Sequence, residues 1–140
     1  MRQITGILTF EPPAPGLHSI TREVEEWLGS HRVGTGLLTL LCQHTSASIT
    51  IQENIDPDVM RDLEDAFEGI APRGGPERYR HHAEGTDDMS AHIRTVLSGV
   101  NIAIPVIEAR LALGRYQGLF LWEHRNPARR RSVALHLLAD

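Results

Sequence analysis

The chain changes hydrophobic rhythm several times, and each change predicts an element. Residues 36–43, GLLTLLCQ, are a short apolar run opened by a glycine and read as a buried strand. Across residues 44–54, HTSASITIQEN, the rhythm turns to alternation. His44, Ser46, Ser48, Thr50 and Gln52 fall on one face of a strand, and Thr45, Ala47, Ile49 and Ile51 on the other. A hydroxyl-and-imidazole face opposite an apolar one offers polar groups to a ligand. The same pattern also describes an ordinary half-exposed strand, because threonine suits strands.

Residues 2–10 predict a first strand with Ile4, Leu8 and Phe10 in phase, and EPPAPG at 11–16 predicts a turn. Ile20, Val24, Trp27 and Leu28 recur at helical spacing, so a helix is expected from about Ser19 to Gly29. Asp56 as cap and Pro57 at the first position open a second helix, whose stripe runs from Val59 through Met60, Leu63, Ala66 and Phe67 to Ile70. After a Gly/Pro loop at 71–78, Asp87 or Asp88 opens a third helix that Gly99 stops. Its stripe of Met89, Ile93, Val96 and Leu97 is expected to face the core. Residues 100–107 read as a strand that Pro105 places at an edge or bulge, and 109–114 as a turn region. QGLFLW at 117–122 is a buried strand ending abruptly in Glu123, His124 and Arg125, and 132–138 is the last strand. The order does not alternate as β-α-β. It predicts one compact α+β domain over 1–140, mainly antiparallel sheet with about three short helices.

With 41% apolar and 23% charged residues, the chain is expected to be an ordered globular protein. No apolar run approaches the ~20 residues of a spanning helix, and MRQITGILTFEPP does not read as a signal peptide. The single cysteine, Cys42, excludes an intrachain disulfide and fits a cytoplasmic protein. A net charge of -4 argues against a nucleic-acid partner. Most carboxylates between 53 and 68 are expected on a solvated helix face, and two of the three arginines at 129–131 in a solvated loop.

Eight histidines then matter by placement. Three stretches each bring imidazole with carboxylate: His44 with Glu53; His81 with Glu84, Asp88 and His92; Glu123 with His124. None forms a tight ligand motif such as HExxH. If three of the imidazoles of His44, His81, His92 and His124 meet, a divalent metal such as Zn²⁺ is the natural occupant. The carboxylates are then further ligands or orienting groups. If they do not meet, they are acid/base or binding groups, and the placement of His92 at the edge of its helical stripe favours a packing residue over a ligand. A Ser46–His44–Asp hydrolase lacks the GxSxG elbow.

HTSASITIQEN, YRHHAEGTDDMSAHI and LALGRYQGLFLWEHR, in that order and spacing, resemble the YjbQ-like family over nearly the whole chain. The resemblance implies a secondary thiamine-phosphate synthase activity, joining hydroxymethylpyrimidine diphosphate to thiazole phosphate with loss of pyrophosphate. It also implies a homotrimer with polar clefts between subunits. On it, His44, Glu53, His81, Glu84, Glu123 and His124 are expected to be catalytic. Thr45, Ser46, Asn54, Asp56, Asp87, Asp88, Gln117 and Arg125 are expected to bind small phosphorylated substrates. Carboxylate-bound Mg²⁺ suits that transfer. Zn²⁺ suits the alternatives, a hydrolase or a non-catalytic metal- or small-molecule-binding protein. Gln52, Ser90, Arg115 and Tyr116 depart from the family pattern.

Overall fold

The computed structural model describes all 140 residues. In chain order the elements are β1 (Arg2–Phe10), β2 (Gly16–Ser19), α1 (Thr21–Gly29), β3 (Gly36–Cys42), β4 (Ala47–Glu53), α2 (Pro57–Ile70), α3 (Asp88–Ser98), β5 (Asn101–Ile107), β6 (Arg110–Leu111), β7 (Gln117–Glu123) and β8 (Arg131–Ala139). The strands form two antiparallel sheets, one ordered β1-β8-β3-β5-β6 and the other β2-β7-β4. The class is α+β, as the pattern predicts.

Strand alternation builds the core between the two sheets. Leu38 and Leu40 of β3 with Val133, Leu135 and Leu137 of β8 meet Ala47 and Ile49 of β4 with Leu119 and Leu121 of β7. Each large aliphatic side chain buried there contributes about 1.5–3 kcal/mol. Helix α1 adds Val24 and Leu28 to the same cluster. Its Trp27 lies against Gly6 of β1, where an added Cβ would sit 2.6 Å from the indole nitrogen. Gly6 is therefore what lets helix and strand approach so closely.

Helices α2 and α3 cover the outer face of the small sheet. Asp56 caps α2 by accepting from the Asp58 N–H, with Pro57 at the first position. Phe67 meets Trp122 edge-on at 4.8 Å between centroids, and the Trp122 indole N–H donates to Glu64.

Several expectations are corrected. Residues 16–19 pair with β7, so α1 starts at Thr21 and not at Ser19. His44, Thr45 and Ser46 lie in a loop before β4, not in the strand. The supposed turn at 109–114 contains β6, joined to β5 by a tight hairpin with Glu108 and Ala109 at positive φ. The largest departure is α3. It buries Asp88, Ser90, Ala91, Arg94 and Thr95 and leaves Val96 83% and Leu97 55% exposed. The reason is an ion-pair network around the buried Arg94: its guanidinium reaches Glu64 at 3.2 Å and Glu68 at 2.8 Å on α2, and its Nε donates to Ser90. Glu64 is half-buried and Glu68 exposed, so the solvated face expected for most carboxylates of α2 holds, with these two at its edge.

Candidate functional site

One cluster of the expected polar residues converges. The loop before α3 supplies His81 and Glu84, the first turns of α3 supply Asp88 and His92, and the segment after β7 supplies Arg125. The Nε2 atoms of His81 and His92 lie 2.6 and 3.1 Å from one oxygen, Asp88 Oδ2. Asp88 and His92 are four residues apart and share a helix face. The potential ligand atoms of all three residues lie within 4.8 Å of one another. Glu84 Oε2 is 3.3 Å from His81 Nε2.

Arg125 fixes the acidic side of this cluster. Its Nη1 donates to Asp88 Oδ1 at 2.5 Å, its Nε to Asp87 Oδ2 at 3.2 Å, and its Nη2 to the Glu84 carbonyl at 2.8 Å. Burial pushes the Asp88 carboxyl up, but the hydrogen bond from His81 and the charge of Arg125 outweigh it and hold it below its ordinary value. Asp87 is likewise held low, with burial overcome by the Asn126 N–H and Arg125. Of the two aspartates only Asp88 faces the imidazoles, through Oδ2.

Protonation at His92 follows from geometry. Its Nδ1 is 3.0 Å from the Thr45 carbonyl oxygen, which only accepts, so Nδ1 carries the proton. In the neutral ring Nε2 is then a bare lone pair aimed at a carboxylate oxygen. Two acceptors at 3.1 Å need a shared cation, either a second proton on the ring or a metal ion.

A second group holds Glu123, Ser46 and His44, and it is committed to structure. Glu123 is fully buried and bound by Arg131, whose Nε donates at 2.7 Å and Nη2 at 2.5 Å. The Arg125 and Arg129 N–H groups also donate to it. These bonds outweigh burial and keep the carboxyl below its ordinary value. Arg131 further donates to the hydroxyl and carbonyl of Ser46. Arg129 and Arg130 are exposed, as expected for two of the three. His44 Nε2 accepts the Ser132 N–H at 2.8 Å, and burial with the Arg131 charge lowers its pKa.

His124 is buried separately. Ser98 donates its proton to the Arg94 carbonyl, so Ser48 must donate to Ser98 and accept from His124 Nε2–H at 2.8 Å. His124 Nδ1 is left without a partner. Burial and the Arg94 charge push its pKa down to about 3, so it stays a neutral ring. Burial pushes the Cys42 thiol up to about 11, which leaves no nucleophile there.

The third group lies at the far end of the small sheet. Ala47 pairs with Glu123 and Glu53 with Gln117. Six residue steps separate the two ends, roughly 20 Å. There Glu53 accepts the Asp56 N–H, Asn54 donates to the Gln117 carbonyl, and the Gln117 side chain accepts the Gly114 N–H. Within one chain, then, His81, Glu84, Asp87, Asp88, His92 and Arg125 meet. His44, Ser46, Glu123, His124, Glu53, Asn54, Asp56 and Gln117 do not join them, and Thr45 contributes its carbonyl alone. Arg94 escaped the sequence reading, which takes Arg131 only as one of three arginines in the loop before the last strand. Arg131 did leave a signal, since it falls in phase with Val133, Leu135 and Leu137 on the buried side of β8.

The model of the family described as UPF0047 protein YjbQ-like matches residues 7–140. The chain is 44% identical over 139 residues to UPF0047 protein sll1880 of Synechocystis, covering 99% of this chain and 94% of that one. It is 43% identical over 119 residues to UPF0047 protein YjbQ of Escherichia coli O157:H7, covering 84% and 85%. The crystal structure of hypothetical protein APE1520 from Aeropyrum pernix superposes with TM-score 0.87 at 29% identity, covering 98% and 99%. These findings overturn the expected thiamine-phosphate synthase activity. The relatives carry UPF0047 names that state no reaction, and a Sulfolobus solfataricus structure of the same fold is described as being of unknown function. The geometry agrees, because the Arg125 guanidinium that was to meet the leaving diphosphate is taken up by Asp87, Asp88 and the Glu84 carbonyl. No helix is long and apolar enough to cross a membrane. The motifs, the fold and the matched length agree that this chain belongs to the UPF0047 YjbQ-like family.

Proposed function

We propose that the chain binds a divalent transition metal through His81 Nε2, His92 Nε2 and Asp88 Oδ2. The observation that carries this reading is the convergence of two imidazole nitrogens on one carboxylate oxygen, with the His92 tautomer fixed by the Thr45 carbonyl. A backbone carbonyl on the far nitrogen is the usual way a ligating histidine is oriented. Arg125 ties up Asp88 Oδ1, which limits the carboxylate to one ligand atom. Two nitrogens and one oxygen suit Zn²⁺ or another borderline metal better than Mg²⁺, which prefers oxygen. Three protein ligands fall short of the four of a structural zinc, so a site of this kind is suited to hold a small molecule at the metal. Metal analysis of protein purified without chelator tests it. About one metal per chain is expected, retained in His44→Ala and His124→Ala and lost in Asp88→Asn and His92→Ala. Protein that carries no metal and gains none from added Zn²⁺, Mn²⁺ or Fe²⁺ refutes the reading.

A homotrimer is the second part of the proposal. The outward residues of the five-stranded sheet between Gln3 and Thr9, along β3 and β5, and between Ser132 and Leu138 include no carboxylate, lysine or arginine. Ile7 is 63% exposed there, and Leu37 and Leu41 are each 43% exposed. An uncharged, partly aliphatic face of this breadth favours burial against another subunit. Sedimentation that gives a single-chain mass at micromolar concentration excludes it. The unpaired, buried Cys42 suits the reducing cytoplasm, where we place the protein.

A further inference from the structure

Two chains of hydrogen bonds tie the buried Glu123–Arg131 pair to the metal cluster, although neither side chain bonds to His81, Asp88 or His92. The first chain runs through the loop before β4. Arg131 Nη1 donates to the Ser46 hydroxyl at 3.0 Å and Nη2 to the Ser46 carbonyl at 3.1 Å. At the other end of that loop the Gln43 N–H donates to the Ser132 carbonyl at 3.0 Å. The start of β8 therefore holds residues 43–46 from both ends. Between the two anchors stands Thr45, whose carbonyl accepts His92 Nδ1–H at 3.0 Å and has the Thr95 hydroxyl at the same distance.

The second chain leaves from the carboxylate. Glu123 Oε1 accepts the Arg125 N–H at 2.9 Å, and the Arg125 side chain donates to Asp88 Oδ1 at 2.5 Å. One pair thus stands behind two of the three metal ligands. Burying two charges is costly, and apolar side chains of similar volume commonly serve stability as well. What they do not supply is a fixed fork of donors. Arg131 bonds both Glu123 oxygens and Ser46 at once, which a lysine, with its charge at a single point, does not match.

We infer that Glu123 and Arg131 are positioning residues of the metal site, which aim His92 through Thr45 and Asp88 through Arg125. The consequence for affinity rests on the metal reading, whereas the geometry belongs to the metal-free chain. If the Thr45 carbonyl moves off, the neutral His92 ring is free to carry its proton on Nε2, and that nitrogen then leaves the ligand set.

The test is the ¹⁵N spectrum of neutral His92 in metal-free protein, paired with the Zn²⁺ dissociation constant. Arg131→Lys keeps the charge and loses the fork. Ser46→Ala, at a half-buried loop position, removes one of the two Ser46 bonds and spares the ion pair. Leu28→Ala opens the core on α1, remote from both chains, and controls for lost stability. The wild type is expected to be protonated at Nδ1. Arg131→Lys should give mixed tautomers and bind Zn²⁺ about tenfold more weakly. Ser46→Ala should move both readouts the same way by less, and Leu28→Ala should move neither. If Arg131→Lys does not fold, Ser46→Ala decides. A wild type that takes up no Zn²⁺ ends the metal reading, and the tautomer alone then decides this inference. The inference is overturned if Nδ1 stays fully protonated in both variants, if Leu28→Ala shifts the tautomer as far, or if Zn²⁺ affinity holds despite the shift.

Discussion

Glu123 and His124 are adjacent at the end of β7, and strand alternation sends them to opposite sides of the small sheet. Glu123 goes inward to Arg131, while His124 goes outward beneath α3, toward Ser48. Removing one partner of a buried pair strands the other charge. Glu123→Ala should therefore cost about 3–5 kcal/mol in urea unfolding. His124 predicts a pH dependence of defined sign. Its pKa is depressed to about 3 from an ordinary 6.5, so the unfolded chain binds the extra proton. Stability from this group is complete above pH 6.5 and is lost as pH falls from there toward 3. The slope approaches ~1.4 kcal/mol per pH unit for one proton. Unfolding curves between pH 7 and 5 should be flatter in His124→Gln than in the parent. The tautomer is also checkable, since ¹⁵N spectra of His124 should show a protonated Nε2 and a bare Nδ1.

At the scale of elements, α3 shows how a side-chain network overrides a hydrophobic stripe. A helix normally buries its apolar face. Here the buried residue is Arg94, because α2 offers Glu64 and Glu68 at its height. Arg94→Ala is expected to destabilise by about 1–3 kcal/mol, less than a fully buried pair because the glutamates can reach water. Val96→Ser should change stability by under about 0.5 kcal/mol despite its position in the stripe. Equal losses in the two variants would restore the stripe reading. The first half of the chain was more legible. The start of α2 at Asp56 and Pro57 follows from capping chemistry that acts within one turn. β2 was not legible, because four residues after a proline turn become a strand only when β7 is beside them.

The whole molecule adds a linkage. A metal that binds the folded chain at a hundred times its dissociation constant stabilises it by ~2.7 kcal/mol. Zn²⁺ should raise the melting temperature of the wild type and leave that of Asp88→Asn unmoved. The same scale explains why only part of the expected site assembles. The motifs are near neighbours in sequence, yet β4 and β7 run antiparallel at full length. This carries the Glu53–Gln117 end away from the Glu123–Arg125 end.

Local chemistry in the sequence settled the α+β class, the family and most element boundaries, because periodicity, caps and glycine stops act over a few residues. It also placed His81, Glu84, Asp88 and His92 in one stretch, while leaving open whether their side chains meet. Tertiary structure decided which face of α3 is buried and which arginines are spent on carboxylates. It also decided which histidines keep a free nitrogen. Those outcomes depend on partners from remote strands and on the desolvation of charge, and neither is written in the spacing of residues along the chain.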